Sequence, residues 1–519
     1  MELNLSEQSE RLDPENTQQQ SRKFQLTHGT KLSLHETTDI LKKPQWNALL
    51  ALVGFATTLG AAVPVGYCIG VINAPATIIT AWCNETLHER YGANLSASGL
   101  DWLWSTVVSI FLIGGAIGSL GGANAANKFG RKGCFLISGG LFTIGGILFF
   151  FCRLAGSVEM LLLGRLIVGL ASGLTTAILP MYLTEIAPLA LRGTFGVFCP
   201  IGVTGGVVVG QVFSLRYVFG TEDLWHYALS FYMLLVAVCY LPAYYFPESP
   251  KYLYIVRSDQ ELARSELRRL CKGPNAVVVI NHEIDEMEAE ANTKVQTRSF
   301  FSVLRDPSLL LPLIIVCSFQ GGQQLSGINA IFYYSVSIFM KAGLSKADAE
   351  WANLGAGCLN LCISLLGPML MSKFNRRPLM MFSSGICAGF LFTIGFVLYY
   401  IDTTSWFPMF CIVCVMGYIF FYQFGLGPIP YFIGAELFEV APRPVAMSMG
   451  SLASWACNFT VGMAFPSLQN AWGAFVFMPF SVTCLLLFLL TKFYLPETRG
   501  RDPSEVAPLV AKGFRSKVK

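Results

Sequence analysis

Five uncharged polar side chains lie close together at Gln320, Gln323, Gln324, Ser326 and Asn329. Amides and hydroxyls donate and accept hydrogen bonds, but none of these ionises near neutral pH. They sit in an apolar run, residues 309–340, that is long enough to cross a bilayer. An unpaired amide in hydrocarbon is costly, so the cluster must face protein, water or a ligand. The chemistry on offer is reversible hydrogen bonding to a neutral polar partner. At about 100° per residue, Gln320, Gln323 and Gln324 share one helix face. Asn329 falls about 180° from Gln320 on a regular helix. It joins the glutamines only if the helix unwinds between them, and Ser326-Gly327 is the expected place.

The surrounding chain has 519 residues, 53% hydrophobic and 13% charged, with mean hydropathy +0.53. A soluble chain carries about 25% charged residues, so this composition indicates an all-α membrane protein. Twelve runs can span, at residues 48–72, 103–126, 134–151, 160–183, 195–213, 224–246, 309–340, 352–371, 379–401, 407–432, 444–465 and 474–493. The expected organisation is a tail over 1–47, a six-helix bundle over 48–246, linker helices over 247–308, a second six-helix bundle over 309–495 and a tail over 496–519. The first tail lacks an apolar core, so the first span is expected to be its own insertion signal. Lys128, Arg131, Lys132, Arg192, Lys373, Arg376, Arg377 and Arg443 all fall on the side of the termini, which the charge rule makes cytoplasmic. Two sequons, Asn84-Glu85-Thr86 and Asn94-Leu95-Ser96, fall in the first loop on the other side and are candidate glycosylation sites. The linker mixes Glu, Arg and Lys. Its simplest reading is a set of short amphipathic helices forming a solvated connection; the alternative is a latch against the spans.

The halves repeat each other. Lys128-Phe129-Gly130-Arg131-Lys132 recurs 245 residues later as Lys373-Phe374-Asn375-Arg376-Arg377. Glu185 and Arg192, seven apart, recur as Glu436 and Arg443; Pro247-Glu248-Ser249 recurs as Pro496-Glu497-Thr498. Three repeats in order, each at the same end of the spans, indicate two bundles related by a pseudo-twofold along the membrane normal, the major facilitator architecture, with a ligand near the midplane. Arg131, Glu185, Arg192, Arg376, Glu436 and Arg443 form a candidate cytoplasmic charge network. Carboxylates at span ends are costly unless paired, so ion pairs there would hold that side shut.

Ten motifs resemble the facilitative hexose transporters of the sugar porter family. They include GYCIGVINAP at Gly66–Pro75, NKFGRK at Asn127–Lys132, PMYLTEIAPLALRG at Pro180–Gly193 and PESPKYL at Pro247–Leu253. QQLSGINAIFYY at Gln323–Tyr334, GPIP at Gly427–Pro430, NFTVG at Asn458–Gly462 and PETRGR at Pro496–Arg501 continue the series. The resemblance implies uniport of glucose, fructose or both across the plasma membrane, with a monomer sufficient. It implies sugar contacts from Gln323, Gln324, Asn329 and Asn360, a gate at Tyr333 and Tyr334, and Trp455 flanking the cavity. Gln423 stands where glucose-type members carry Glu, Tyr431 where they carry Trp, Ser454 where they carry Asn and Pro200 where they carry Gln. Gly321-Gly322 resembles a fructose-type member. The second-half basic motif also lacks the family's Glu (here Ser372) and Gly (here Asn375), which implies a weaker charge network there.

A proton-coupled porter needs a carboxylate that titrates within the membrane. Its family position after Gly66-Tyr67 is Cys68, and no Asp or Glu occupies the middle of a span. Facilitated diffusion is therefore expected over proton symport. Transport of a polyol, urate or dehydroascorbate and a non-transporting sugar receptor are the rivals. No phosphate-cradling loop or metal-ligand spacing occurs, so no enzyme, metal or cofactor is expected, and the net charge of +4 follows topology rather than nucleic acid.

Overall fold

A computed structural model of the chain describes residue 40 and residues 46–516, apart from 73–74, 93–95, 274, 293–299, 342 and 402. Nine of the described helices are long and apolar enough to cross a bilayer. Span one is Ala48–Gly70, span four Val158–Ile186, span five Leu189–Phe213 and span six Trp225–Tyr245. Span seven starts at Pro307, span eight is Trp351–Lys373, span nine Arg376–Tyr399 and span twelve Gly473–Tyr494. The helix Trp102–Cys152 has 51 residues and supplies both spans two and three. Phe407–Tyr422 with Ile429–Leu437 makes span ten, and Arg443–Trp472 makes span eleven. Span eleven is less apolar because it carries Ser448, Ser451, Ser454 and Asn458. The result is twelve passages, all helical, within Pro44–Lys519, which form one unit. Apolar side chains of the first half pack around Trp225, Tyr67 and Tyr182; those of the second pack around Phe319, Tyr418 and Phe432.

Small residues let the spans approach. A Cβ on Gly173 of span four would lie 1.9 Å from the Gly115 carbonyl of span two, a crossing that only glycine permits.

Three local expectations need correction. Spans two and three meet without a loop: the chain turns at Gly130 (φ 76°, ψ −178°), a conformation almost restricted to glycine. The segment after span one is not all loop. Ala76–Tyr91 is a helix closed by left-handed Gly92, so Asn84 lies on a helix and its Oδ1 is buried without a partner. Asn94 lies outside the described residues. The linker is docked rather than solvated. Helices Gln260–Leu270 and Ala276–Asn292 share an apolar cluster with Leu253, Ile255 and Val440. Glu290 Oε1 accepts the Val440 N–H at 2.6 Å, which ties the linker to the second half. Arg192 of the first half reaches Glu283 at 2.9 Å, Glu286 at 3.4 Å and Asp502 of the second tail at 2.5 Å, and Lys251 meets Glu286 at 2.8 Å.

Glu248 is the partner that the Gly130 turn serves. Its Oε1 accepts the Arg131 and Lys132 N–H groups at 2.9 and 3.1 Å. In the second half Glu497 accepts from Arg376 and Arg377 N–H at 2.9 and 3.2 Å. There Asn375 is ordinary extended backbone (φ −72°, ψ 146°), so no glycine is required. A Cβ on Gly130 would sit 2.2 Å from Glu248 Oε2. Gly130→Ala is expected to destabilise the protein by at least about 1–3 kcal/mol, read as a lower thermal midpoint in detergent, whereas Asn375→Ala is expected to have little effect. Burial pushes the Asp502 carboxyl up to about 6; neighbouring Glu286 adds to this and Arg192 opposes it. A carboxyl whose pKa is raised by folding contributes stability at acid pH that is lost as pH rises through the folded value. Asp502→Asn is therefore expected to flatten the fall in thermal midpoint between about pH 4 and about pH 6.

Candidate functional site

Span seven breaks where its polar pattern demands. Pro307–Gln324 ends, Leu325 to Gly327 turn, and Ile328–Lys341 resumes, with Gly327 at φ 84°. A break frees backbone groups that hydrocarbon cannot satisfy. Tyr418 of span ten donates its hydroxyl to the Ser326 carbonyl at 2.9 Å, and Ser326 Oγ donates to the Gln323 carbonyl at 2.6 Å. Span ten breaks between Tyr422 and Ile429. Ser383 of span nine accepts the Leu426 N–H at 3.0 Å and donates to the Phe421 carbonyl at 2.9 Å. Gln323 Nε2 donates to the Leu426 and Gly427 carbonyls at 3.2 and 2.5 Å, so each break holds the other.

The two breaks face a cavity of about 1170 Å³, counting its solvent-open part. Spans one, four and five of the first half line it, with spans seven, eight, ten and eleven of the second. Its second-half wall is a chain of hydrogen bonds. Gln423 Nε2 donates to Asn360 Oδ1 at 2.7 Å. Gln324 Nε2 donates to Ser454 Oγ at 3.0 Å. Asn329 Nδ2 donates to Gln324 Oε1 at 2.8 Å and to Asn458 Oδ1 at 2.9 Å. The break thus turns Asn329 onto the glutamine face. None of the described residues lining the cavity is an Asp, Glu, Lys, Arg or His. A neutral site of this kind can exchange its internal hydrogen bonds for those of a polyhydroxylated molecule, and its described lining residues offer no carboxylate or imidazole to accept a proton.

Toward the end of the bundle that carries the basic segments, the halves are sealed together. Trp455 Nε1 donates to Thr176 Oγ1 at 3.1 Å, and its ring lies where Gly115 has no side chain. Ser451 Oγ pairs with Thr176 and Ser119 hydroxyls, each at 2.8 Å. Two turns further along span eleven, Arg443 Nη1 meets Glu185 Oε1 at 3.0 Å. Glu185 also accepts from Arg131 Nε at 2.8 Å and Nη2 at 3.1 Å, and from Ser249 at 2.6 Å. In the second half Arg376 makes one bond to Glu436, at 3.1 Å, Thr498 supplies the hydroxyl, and Arg376 Nε is buried without a partner. Arg131 is bidentate where Arg376 is not. Arg192 breaks the symmetry: it pairs with the linker and tail instead of Glu436.

Gln323, Gln324, Asn329, Asn360, Gln423 and Trp455 therefore share one cavity. Tyr333 and Tyr334 are helical in backbone, but their side chains lie outside the described set. Gly321 and Gly322 do not line the cavity. They face Cys457 of span eleven and Leu487 of span twelve, so they act on packing. Pro200 does line it. Of the aromatic residues Phe420, Phe421, Tyr422 and Phe424, only Tyr422 lines it. Thr176 and Gln211 are wall residues that motif reading missed. Gln211 carries the same signal as Gln323, an amide inside an apolar span, and shares a helix face with Pro200 and Thr204.

Comparison with known proteins agrees with this architecture. The solute carrier family 2, facilitated glucose transporter member 3 of Ovis aries is 41% identical over 445 residues, covering 85% of this chain and 88% of that one. Member 1 from Gallus gallus is 38% identical over 449 residues, covering 85% and 89%. The fold is shared with the E. coli proton:xylose symporter XylE bound to 6-bromo-6-deoxy-D-glucose, at TM-score 0.75 and 24% identity over 89% of this chain and 99% of that one. The profile of the family described as sugar (and other) transporters matches residues 53–509. With its twelve helical passages and its relatives, the chain is a multi-pass membrane protein that belongs to the sugar transporter family, in the major facilitator fold.

Proposed function

We propose that this protein is a uniporter that carries glucose, fructose or both down their gradients across the plasma membrane. The observation that carries the reading is the neutral, amide-lined cavity between two halves, in a chain 41% identical to a facilitated glucose transporter. A carrier of this kind is not an enzyme. Gln324, Asn329, Asn360 and Gln423 exchange their mutual hydrogen bonds for sugar hydroxyls, Gln323 offers its side-chain carbonyl oxygen while its Nε2 holds span ten, and Trp455 closes the floor. The basic end is cytoplasmic, with both termini on that side. Each chain contains a whole cavity, so a monomer suffices.

The halves, residues 48–246 and 309–495, rock about the cavity in turn. Arg443–Glu185 acts as the cytoplasmic gate, and its geometry keeps the cost of opening low. Separation leaves Glu185 with Arg131 and Ser249, while Arg443 Nε keeps the Phe438 carbonyl at 3.0 Å. Glu185 thus keeps its countercharge and avoids the loss of about 3–5 kcal/mol that follows an unpaired buried charge, while Arg443 keeps a carbonyl acceptor. Tyr333 and Tyr334 move with the outer part of broken span seven as the opposite gate.

Pro200 gives the first-half wall no hydrogen-bonding side chain at that position, which favours testing fructose beside glucose. In proteoliposomes holding the purified chain, saturable uptake of labelled hexose is expected, unchanged by collapse of a proton gradient. Uptake that needs the gradient would overturn uniport, and binding without saturable flux would overturn transport. Gln323→Leu is expected to reach the membrane yet lower uptake to less than about a tenth, because it removes a sugar contact and orphans two span-ten carbonyls.

A further inference from the structure

The cavity amides divide into two groups. Gln323, Gln324, Asn329, Asn360 and Gln423 are already hydrogen-bonded to neighbouring side chains or backbone. Among the described residues lining the cavity, Gln211 Oε1 and Gln320 Nε2 are buried with no partner. A buried polar atom in that state is costly, and a ligand that supplies the missing partner is favoured for that reason.

Gln211 stands apart by position as well. It comes from span five, whereas every other amide of the cavity comes from the second half. Its Oε1 reaches span eight at Gly357, where a Cβ would lie 3.0 Å away. Gly357 precedes Asn360 by one turn, about 4.5 Å along the helix. Span eight runs toward the basic end, so Gln211 lies about one turn farther from that end than Asn360. Pro200 is eleven residues earlier on span five, about 16 Å along the same face. The first-half wall thus offers its amide acceptor at Gln211, and position 200 offers none.

We propose that Gln211 is a specificity-determining residue: its Oε1 accepts a hydrogen bond from one hydroxyl of the bound hexose, and Gly357 keeps the space for that hydroxyl open. The inference rests on the hexose-transport reading above. Because the other amides belong to the second half, this bond makes the sugar a bridge between the two halves. It thereby links recognition of one hydroxyl to closure.

The test uses the full-length chain in proteoliposomes, with labelled hexose uptake competed by a series of monodeoxy and fluorodeoxy hexoses. In the wild type, one position is expected to show about three- to tenfold weaker competition when its hydroxyl is removed. Fluorine at that position is expected to be penalised equally, because it cannot donate to Oε1. Gln211→Leu is expected to raise KM for the parent sugar by a similar factor and to erase the penalty at that position alone. Gly357→Ala, whose methyl crowds Oε1, is expected to act in the same direction and decides the matter if Gln211→Leu lowers the thermal midpoint. A folded Gln211→Leu protein with wild-type KM and an unchanged analogue profile would overturn the inference while leaving hexose transport standing. A wild-type chain that moves no hexose overturns both.

Discussion

Hydrocarbon offers no hydrogen bonds, and that constraint governs this molecule. A helix may break inside a bilayer only where other groups take up the freed N–H and C=O. Spans seven and ten break at the same depth, and each supplies the groups the other needs. Gln323 of span seven holds the span-ten carbonyls, while Tyr418 of span ten holds the Ser326 carbonyl. The same constraint keeps most amides of the second-half cavity wall internally bonded. Its amides sit in a ready network that a ligand must match bond for bond, and such sites reject molecules that leave a member unpaired.

Charge obeys a related rule at the basic end. Each half builds one unit from an Arg, a Glu and a hydroxyl, with a second Glu holding the following helix start. The units differ in detail. The first half bends through glycine and binds Glu185 with two guanidinium nitrogens; the second passes through extended Asn375 and binds Glu436 with one. Arg499 of the tail reinforces the second turn by donating to the Lys373 and Ser372 carbonyls. Of the ion pairs described, Arg443–Glu185 is direct between the halves, while Arg192 joins the first half to the linker and tail. The linker therefore belongs to the charge assembly rather than to solvent.

Much of the site was legible in the residues themselves. An amide cluster inside an apolar run identified span seven, and helical arithmetic placed its break at Ser326-Gly327. Motif reading failed in instructive places. It noted Gly321 and Gly322 only as resembling a fructose-type member, and could not see that helical rotation points them at spans eleven and twelve. It overlooked Gln211 and Thr176, single polar residues whose role depends on what crosses them. It expected a loop at Asn84, where the chain has enough helix-compatible sequence before Gly92 to form four turns.

Twelve passages, their orientation relative to the basic segments, the internal repeat and the neutral character of the site followed from sequence alone. Each depends on partition between water and lipid or on local order along the chain, and both are properties of composition and spacing. Which amides meet, which stay open, where Arg192 finds its acids and which pair bridges the halves were decided only by the tertiary structure. Glu185 and Arg443 are 258 residues apart, and Gln423 and Asn360 are 63 apart. Such pairings depend on helix rotation and close approach to within a few tenths of an ångström, and no local pattern encodes them.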